Sequence, residues 1–318
     1  MRLTTAIVNG NRDSICLYVK KACREWTEAA YNLTDAIQKG SDSITTYVID
    51  GIGDDDGLDT NMTDCYSNIR PPESICFFEK VIPNSHIQSV GCYFHEVKCR
   101  PGKGLESWRK LRSFNDGKTK VQLPAVQGEI DSIVFITLFG MVHGSPFIAG
   151  SGAGCVLVNG GFADISGNLV VGLRKSIEET DFDEEFLEST REQLFRKDIS
   201  LFSKALRLLS CKNIVTADAS DEYNQPEKWR RRMKQPKLQY KVLKVYAPGK
   251  KIEDAVPLVS RNGNETIMPH HYCRGHFATY TEEKPLFGKY SGKFWIPAHV
   301  RGSVKNGAVV KDYCVIER

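Results

Sequence analysis

The sequence predicts an α+β fold: a mixed sheet with two main helices, followed by a basic, strand-rich C-terminal unit. Three observations carry this. Apolar residues recur at helical spacing over 13–39 and again over 183–210. Short runs of strand length lie between and after them, at 44–49, 75–80, 90–97, 130–142, 154–158 and 238–246. The charge is divided: from 228 to 318 there are 19 Lys and Arg against 7 Asp and Glu, while the whole chain carries only +4. With 318 residues, 41% apolar and 26% charged, the composition excludes a disordered or collagen-like chain and suits two domains. The boundary is expected where Ala, Ser, Asp and Pro gather around 218–225. That gives a larger, net acidic domain over 1–220 and a smaller basic one over 221–318.

Taken in order, the first helix is expected to run unbroken over 13–39. Ile15, Tyr18, Val19, Ala22, Trp26, Ala29, Leu33 and Ile37 form its apolar stripe, Asp13 and Ser14 cap its start, and Gly40 stops it. The strand at 44–49 follows. Gly51 to Asp59 is acidic, but position 12 of a calcium loop counted from Asp54 is Cys65 rather than Glu. It reads as a solvated loop. Two strands follow over 71–100, separated by a turn at Pro83-Asn84-Ser85. Gly150-Ser151-Gly152-Ala153-Gly154 reads as a flexible connector between buried runs; it lacks the context of a phosphate loop. The acidic cluster from Glu178 to Glu188 opens the second helix, where it complements the positive end of the helix dipole.

The N-terminus shows no apolar signal region, and no apolar run is long enough to span a bilayer. The expectation is a protein without a membrane role, working in the cytoplasm. The ten cysteines form no CxxC pair, and several sit in apolar runs, so they are expected to be reduced core residues.

The chemistry-bearing residues collect late in the chain. Four of seven histidines fall between 270 and 299, in His270-His271-Tyr272-Cys273-Arg274-Gly275-His276 and at His299, with Arg301 just beyond. Three readings fit these residue types. His271, Cys273, His276 and His299 could bind zinc, although Arg274 lies among them and the spacing is not a standard one. His271, His276 and His299 could act as general acid and base on a phosphodiester, because imidazole titrates near neutrality, with arginines stabilising the developing charge. Alternatively the segment is a compact β-rich module whose His, Arg and aromatic groups satisfy one another or face a partner. The third reading is preferred, and no metal or cofactor is expected. Upstream, Lys228-Trp229-Arg230-Arg231-Arg232-Met233-Lys234 places cations beside an aromatic, an electrostatic footprint for phosphates. The opposite charges of the two halves also suit a homo-oligomer in which the acidic and basic parts meet.

The order of these residues resembles a family of uncharacterised proteins from phages, prophages and other mobile elements. The resemblance covers roughly 71–318. It is most specific in Arg274-Gly275-His276-Phe277, Pro285-Leu286-Phe287-Gly288-Lys289, Trp295 with His299-Val300-Arg301-Gly302, and Lys311-Asp312-Tyr313. It implies no catalytic residue. It implies a phage-type accessory protein in a bacterial cytoplasm that binds nucleic acid or a host protein complex, with inhibition of a host defence as its sharpest form. The binding surface is expected to include Arg230, Arg231, Arg232, Arg274, His276 and Arg301. A nuclease or phosphodiesterase using the C-terminal His/Arg cluster, metal-independent or with zinc, is the alternative function, and a phage structural or assembly protein is a third.

Overall fold

The computed structural model describes residues 2–22, 26–50, 71–107, 128–158, 162–169, 202–245, 269–273, 275–296, 299–301 and 303–308. At 21, 22, 26, 162–169, 269–273, 299–301 and 303–308 it describes the backbone alone. The fold is α+β, as expected. Two compact units emerge: 1–51 with 61–209 and 216–243, and 52–60 with 210–215 and 244–318. Residues 221–243, which composition groups with the basic C-terminal part, thus supply a strand to the larger unit.

The larger unit is built on an eight-stranded sheet. Its strands are β1 (Thr45–Val48), β2 (Ile75–Val81), β3 (Ser89–Lys98), β4 (Ile130–Val142), β5 (Ser145–Leu157), β6 (Phe162–Leu169), β7 (Ile214–Asp218) and β8 (Gln239–Val245). Their order is β6-β5-β4-β3-β2-β1-β8-β7. Strands β2 to β6 form an antiparallel meander. Strand β1 lies parallel to both of its neighbours, β2 and β8. All four of its residues are buried, as suits a parallel strand in the middle of a sheet.

Helices α1 (Leu3–Asn9), α2 (Arg12–Ile15), α3 (Leu17–Ala22) and α4 (Trp26–Lys39) pack together, with α1, α2 and α3 against the sheet. Leu3, Ile7 and Ile15 join Phe77, Phe139 and Ile148 in one core. Each such fully buried side chain contributes about 1.5–3 kcal/mol. Close approach decides some identities here: a Cβ on Gly91 would stand 2.6 Å from the Phe77 ring and 2.7 Å from Leu3.

The single helix expected over 13–39 is corrected: it is interrupted at Cys16, and residues 23–25, between α3 and α4, lie outside the described residues. Asn11, not Asp13 or Ser14, caps α2, its side chain accepting from the Ser14 N–H at 3.2 Å. The helical path breaks at Cys16, where ψ is 2°. Ile15, Val19, Ala30 and Ile37 are nevertheless buried, while Tyr18 is exposed. Hydrophobic period reports which side faces the core; it is blind to a kink that preserves the stripe. Helix α1 escaped the sequence reading because a two-turn helix offers too few repeats. The connector expected at 150–154 is also corrected: it is the middle of β5, paired with β4 on one side and β6 on the other. Ladder bonds on both edges override the weak strand preference of glycine.

The strands expected at 44–49 and over 71–100 are present, as is the turn between β2 and β3, where Asn84 takes a left-handed φ of 57°. The acidic loop after Asp50 and the acidic cluster at 178–188 lie outside the described residues. Of the second expected helix, 202–209 is described and helical; it is α5, with Phe202, Ala205 and Leu206 buried.

In the smaller unit β10 (His276–Tyr280) pairs antiparallel with β11 (Gly292–Ile296). Alongside β11 runs the segment before β7. Lys212 N–H donates to the Lys293 carbonyl, and the buried Asn213 amide exchanges two bonds with the Trp295 backbone, at 2.7 and 2.9 Å. Strands β9 (Pro269–Cys273), β12 (His299–Arg301) and β13 (Ser303–Ala308) pair in the order β12-β9-β13, and residues 274, 297 and 298, between them and the β10–β11 pair, lie outside the described residues.

Candidate functional site

The basic run at 228–237 folds as a short helix closed off at its base. Strand β7 ends at Asp218, whose carboxylate accepts the Ser220 N–H at 2.8 Å and opens α6 (Ser220–Tyr223). Bonding to Ser220 holds the Asp218 carboxyl below its usual range. The Ser220 hydroxyl accepts from the Tyr240 N–H at 3.0 Å, which ties α6 to β8. Asn224 then bridges the excursion: it accepts from Leu238 N–H at 3.0 Å and donates to the Leu238 carbonyl at 2.7 Å. The chain between them is pinned as a closed loop.

That loop carries α7 (Glu227–Met233). Pro226 precedes it with φ of −50°, already suited to a helix start. Glu227 lies in the first turn and Arg230, Arg231 and Arg232 in the last, the arrangement that complements a helix dipole. Lys234 adopts the left-handed conformation at the end. The Lys234 and Gln235 N–H groups then return to the Arg231 and Arg230 carbonyls, a Schellman stop.

No residue of α7 is buried. Trp229 is 42% and Met233 53% exposed. Arg231 pairs with Glu227, and Lys237 with Asp221 at 2.9 Å. Such exposed pairs hold about 0–1 kcal/mol and leave the local field positive. Beneath the helix lies a polar pocket of 340 Å³, lined among others by Asp221, Gln225, Arg230 and Lys237. Arg230 is fixed across it by donating from Nε to the Gln225 carbonyl at 3.1 Å.

The other expected site residues fall on the late strands. Arg274 lies outside the described residues. His276 is exposed at the first position of β10, opposite Ile296. His271 lies on β9 and His299 and Arg301 on β12, where the register sets His299 opposite Cys273 and Arg301 opposite His271. Because strand positions alternate between faces, residues 271, 273, 299 and 301 share one face of the β9–β12 ladder. The β10–β11 pair keeps the same antiparallel register, His276 standing opposite Ile296, and residues 274, 297 and 298 between the two pairs lie outside the described residues.

One cluster was not anticipated. Glu79, in β2, is 1% exposed and accepts from both the backbone N–H and hydroxyl of Thr4, at 2.9 and 2.8 Å. Arg2 Nε stands 3.5 Å from its other oxygen, and Arg2 Nη2 pairs with Asp50 at 2.7 Å. Arg2 also covers the Tyr223 ring of α6 at 4.2 Å. Burial pushes the Glu79 carboxyl up, against the pull of the Thr4 bonds and Arg2. The signal in sequence was a lone acid inside Ile75-Cys76-Phe77-Phe78-Glu79. This network anchors α1 on the ends of β1 and β2 and braces α6, so it supports the surface rather than forming it.

The six cysteines whose side chains are described are all free, five of them buried. No helix among the described residues is long and apolar enough to cross a membrane. Among the side chains described, no three His, Cys, Asp or Glu groups converge. No family model, no curated protein and no solved structure matches the chain.

Proposed function

We propose that the protein binds a polyanion, nucleic acid first, through the surface presented by α7. The observation that carries this is a helix that buries nothing while displaying Lys228, Arg230, Arg231 and Arg232 beside an exposed Trp229. A helix with no packing role has no structural reason to carry that composition. Guanidinium groups match phosphate geometry, and an exposed indole offers a face on which a base stacks. The closed base formed by Asn224 and Leu238 holds these groups in place before binding, which lowers the entropy lost on association. In the setting implied by the resemblance to phage proteins, this is an accessory factor acting in a bacterial cytoplasm. An acidic face of a host protein complex, such as a defence system, would present the same charge.

The test is fluorescence anisotropy of the full chain with labelled single- and double-stranded oligonucleotides at rising salt. Affinity should fall log-linearly with salt. Arg230→Glu, Arg231→Glu and Arg232→Glu together should weaken binding at least about tenfold and flatten the salt slope by about 2–3. Failure of the wild-type chain to bind any oligonucleotide at low salt would exclude the nucleic-acid reading. If an acidic bacterial protein were then captured by the wild type and not by the triple variant, the host-complex reading would replace it.

A second reading rests on the register that places His271, His299 and Arg301 on one ladder face. Two imidazoles and a guanidinium are the groups that metal-free phosphodiester cleavage requires. Turnover of an oligonucleotide that disappears in His299→Ala while the fold persists would support it.

A further inference from the structure

We propose that the tips of two neighbouring hairpins hold a zinc ion between His86 and His143. The site is separate from the cationic surface of α7 and rests on other residues. His86 lies in the turn that joins β2 to β3, and His143 in the turn that joins β4 to β5. Strands β3 and β4 are antiparallel neighbours, with Ser89 opposite Met141, so both turns emerge at the same end of the sheet. The two imidazole rings come within 5.4 Å, centroid to centroid, at an interplanar angle of 81°. Both residues are exposed.

That separation fits one shared metal. A zinc-bound imidazole nitrogen stands about 2.0–2.1 Å from the ion, which puts the ring centre about 3.1–3.2 Å away. Two such rings at a tetrahedral angle have centres about 5.1–5.2 Å apart; at the right angle of a square-planar ion the figure is about 4.4–4.5 Å. The observed 5.4 Å is nearer the tetrahedral value, which selects zinc over copper(II) or nickel(II). Both side chains reach solvent, so each can turn about its χ angles and aim a nitrogen at the shared point.

The backbone holds the pair in place before any metal arrives. Gln88, two residues beyond His86, is bound in three ways. Its carbonyl accepts from the Ile82 N–H at 2.9 Å, its N–H donates to the Met141 carbonyl at 2.8 Å, and its side-chain oxygen accepts from the Gly144 N–H at 2.8 Å. One residue thus ties the turn carrying His86 to the turn carrying His143. His143 has φ of 49° and Gly144 φ of 75°, between the paired Val142 and Ser145. This is a turn of the I′ kind, whose first central position favours Asn or Gly, so turn geometry does not account for the imidazole. Residues 82–88 and 142–145 contain no Asp, Glu, Lys or Arg. Two neutral imidazoles therefore leave the double charge of zinc uncompensated by their own turns. The two remaining tetrahedral positions suit an anionic oxygen donor from a bound molecule, with water as the default occupant.

The test follows the full chain, carrying isotope-labelled histidine, by NMR as zinc chloride is added. The His86 and His143 imidazole signals are assigned by their loss in His86→Asn and His143→Asn. In the wild type they should shift together along one binding curve. In His86→Asn the His143 signal should need about a hundredfold more zinc, because the second ligand no longer binds within the same molecule. Gln88→Ala keeps both ligands and should weaken binding about tenfold, as loss of an orienting partner does. The remaining histidine signals should hold their zinc-free positions in each variant, which separates a lost site from a lost fold. The proposal is overturned if the His86 and His143 signals ignore zinc, or if the His143 signal titrates unchanged in His86→Asn. The rings would then form an edge-to-face contact and nothing more. Equal zinc affinity in Gln88→Ala would overturn the role of the clamp.

Discussion

The Asn224 side chain bonds to both backbone groups of Leu238, behaving as one more rung of a β-ladder. Its amide nitrogen also donates to the Ser220 carbonyl at 2.6 Å. A single side chain thus satisfies three backbone groups at the root of α7, and everything the helix displays depends on it. Replacing Asn224 with Ala strands both Leu238 groups, while the Ser220 carbonyl keeps the residue 224 N–H at 3.0 Å, and each buried unpaired group costs about 1–3 kcal/mol. Urea denaturation should show a loss in that range for Asn224→Ala. Hydrogen exchange should show faster opening confined to 224–238. An unchanged exchange rate there would mean the clamp is not what holds the helix.

Glu79 makes stability depend on pH in an unusual direction. Its carboxyl is raised above the ordinary value of 4.5, chiefly by burial, so the folded state holds its proton more tightly than the unfolded state does. The contribution is therefore fully present in acid and is lost as pH rises from about 4.5 through the folded value. Glu79→Gln keeps an acceptor for Thr4 and does not titrate. In thermal melts, the advantage of wild type over Glu79→Gln should shrink as pH rises above about 4.5. An advantage that grows with pH would show that Arg2 holds the group ionised.

Gly91 should tolerate no side chain. The Phe77 ring and Leu3 close over it from the sheet and from α1, leaving 2.6–2.7 Å where a Cβ would sit. Overpacking of this kind costs about 1–3 kcal/mol. Gly91→Ala should show that loss by urea denaturation. A neutral Gly91→Ala would mean α1 yields freely.

Phe287 is strained and exposed at once. It has φ of 53°, Gly288 has φ of 70°, and the Lys289 N–H returns to the Leu286 carbonyl at 3.1 Å. This is a turn of the I′ kind, whose first central position favours Asn. The Phe287 side chain is 79% exposed, so its removal sacrifices little burial. Phe287→Asn should stabilise the chain by about 1 kcal/mol, read as a higher urea midpoint. A loss of stability would show that the ring is packed in solution.

Several features were legible in the residues themselves. Strands β2, β3, β4 and β8 announce themselves through short apolar or alternating runs bounded by turn residues, since period is a local property. The Arg230–Arg232 surface was legible too, because a dense run of like charges has no place in a core. What misled was equally local: glycines at 150–154 read as a connector, and the stripe from Ile15 to Ile37 hid the break at Cys16.

By itself, then, the chain determined its fold class, most of its strands and the cationic run at 228–237, because each follows from the chemistry of neighbouring residues. Only the tertiary structure decided that β8 inserts beside β1, that Glu79 is sealed under Thr4, and that His299 stands opposite Cys273. Those are matters of register between distant segments. A shift of one residue exchanges the faces of a strand, and nothing in either segment alone records which shift the other will impose.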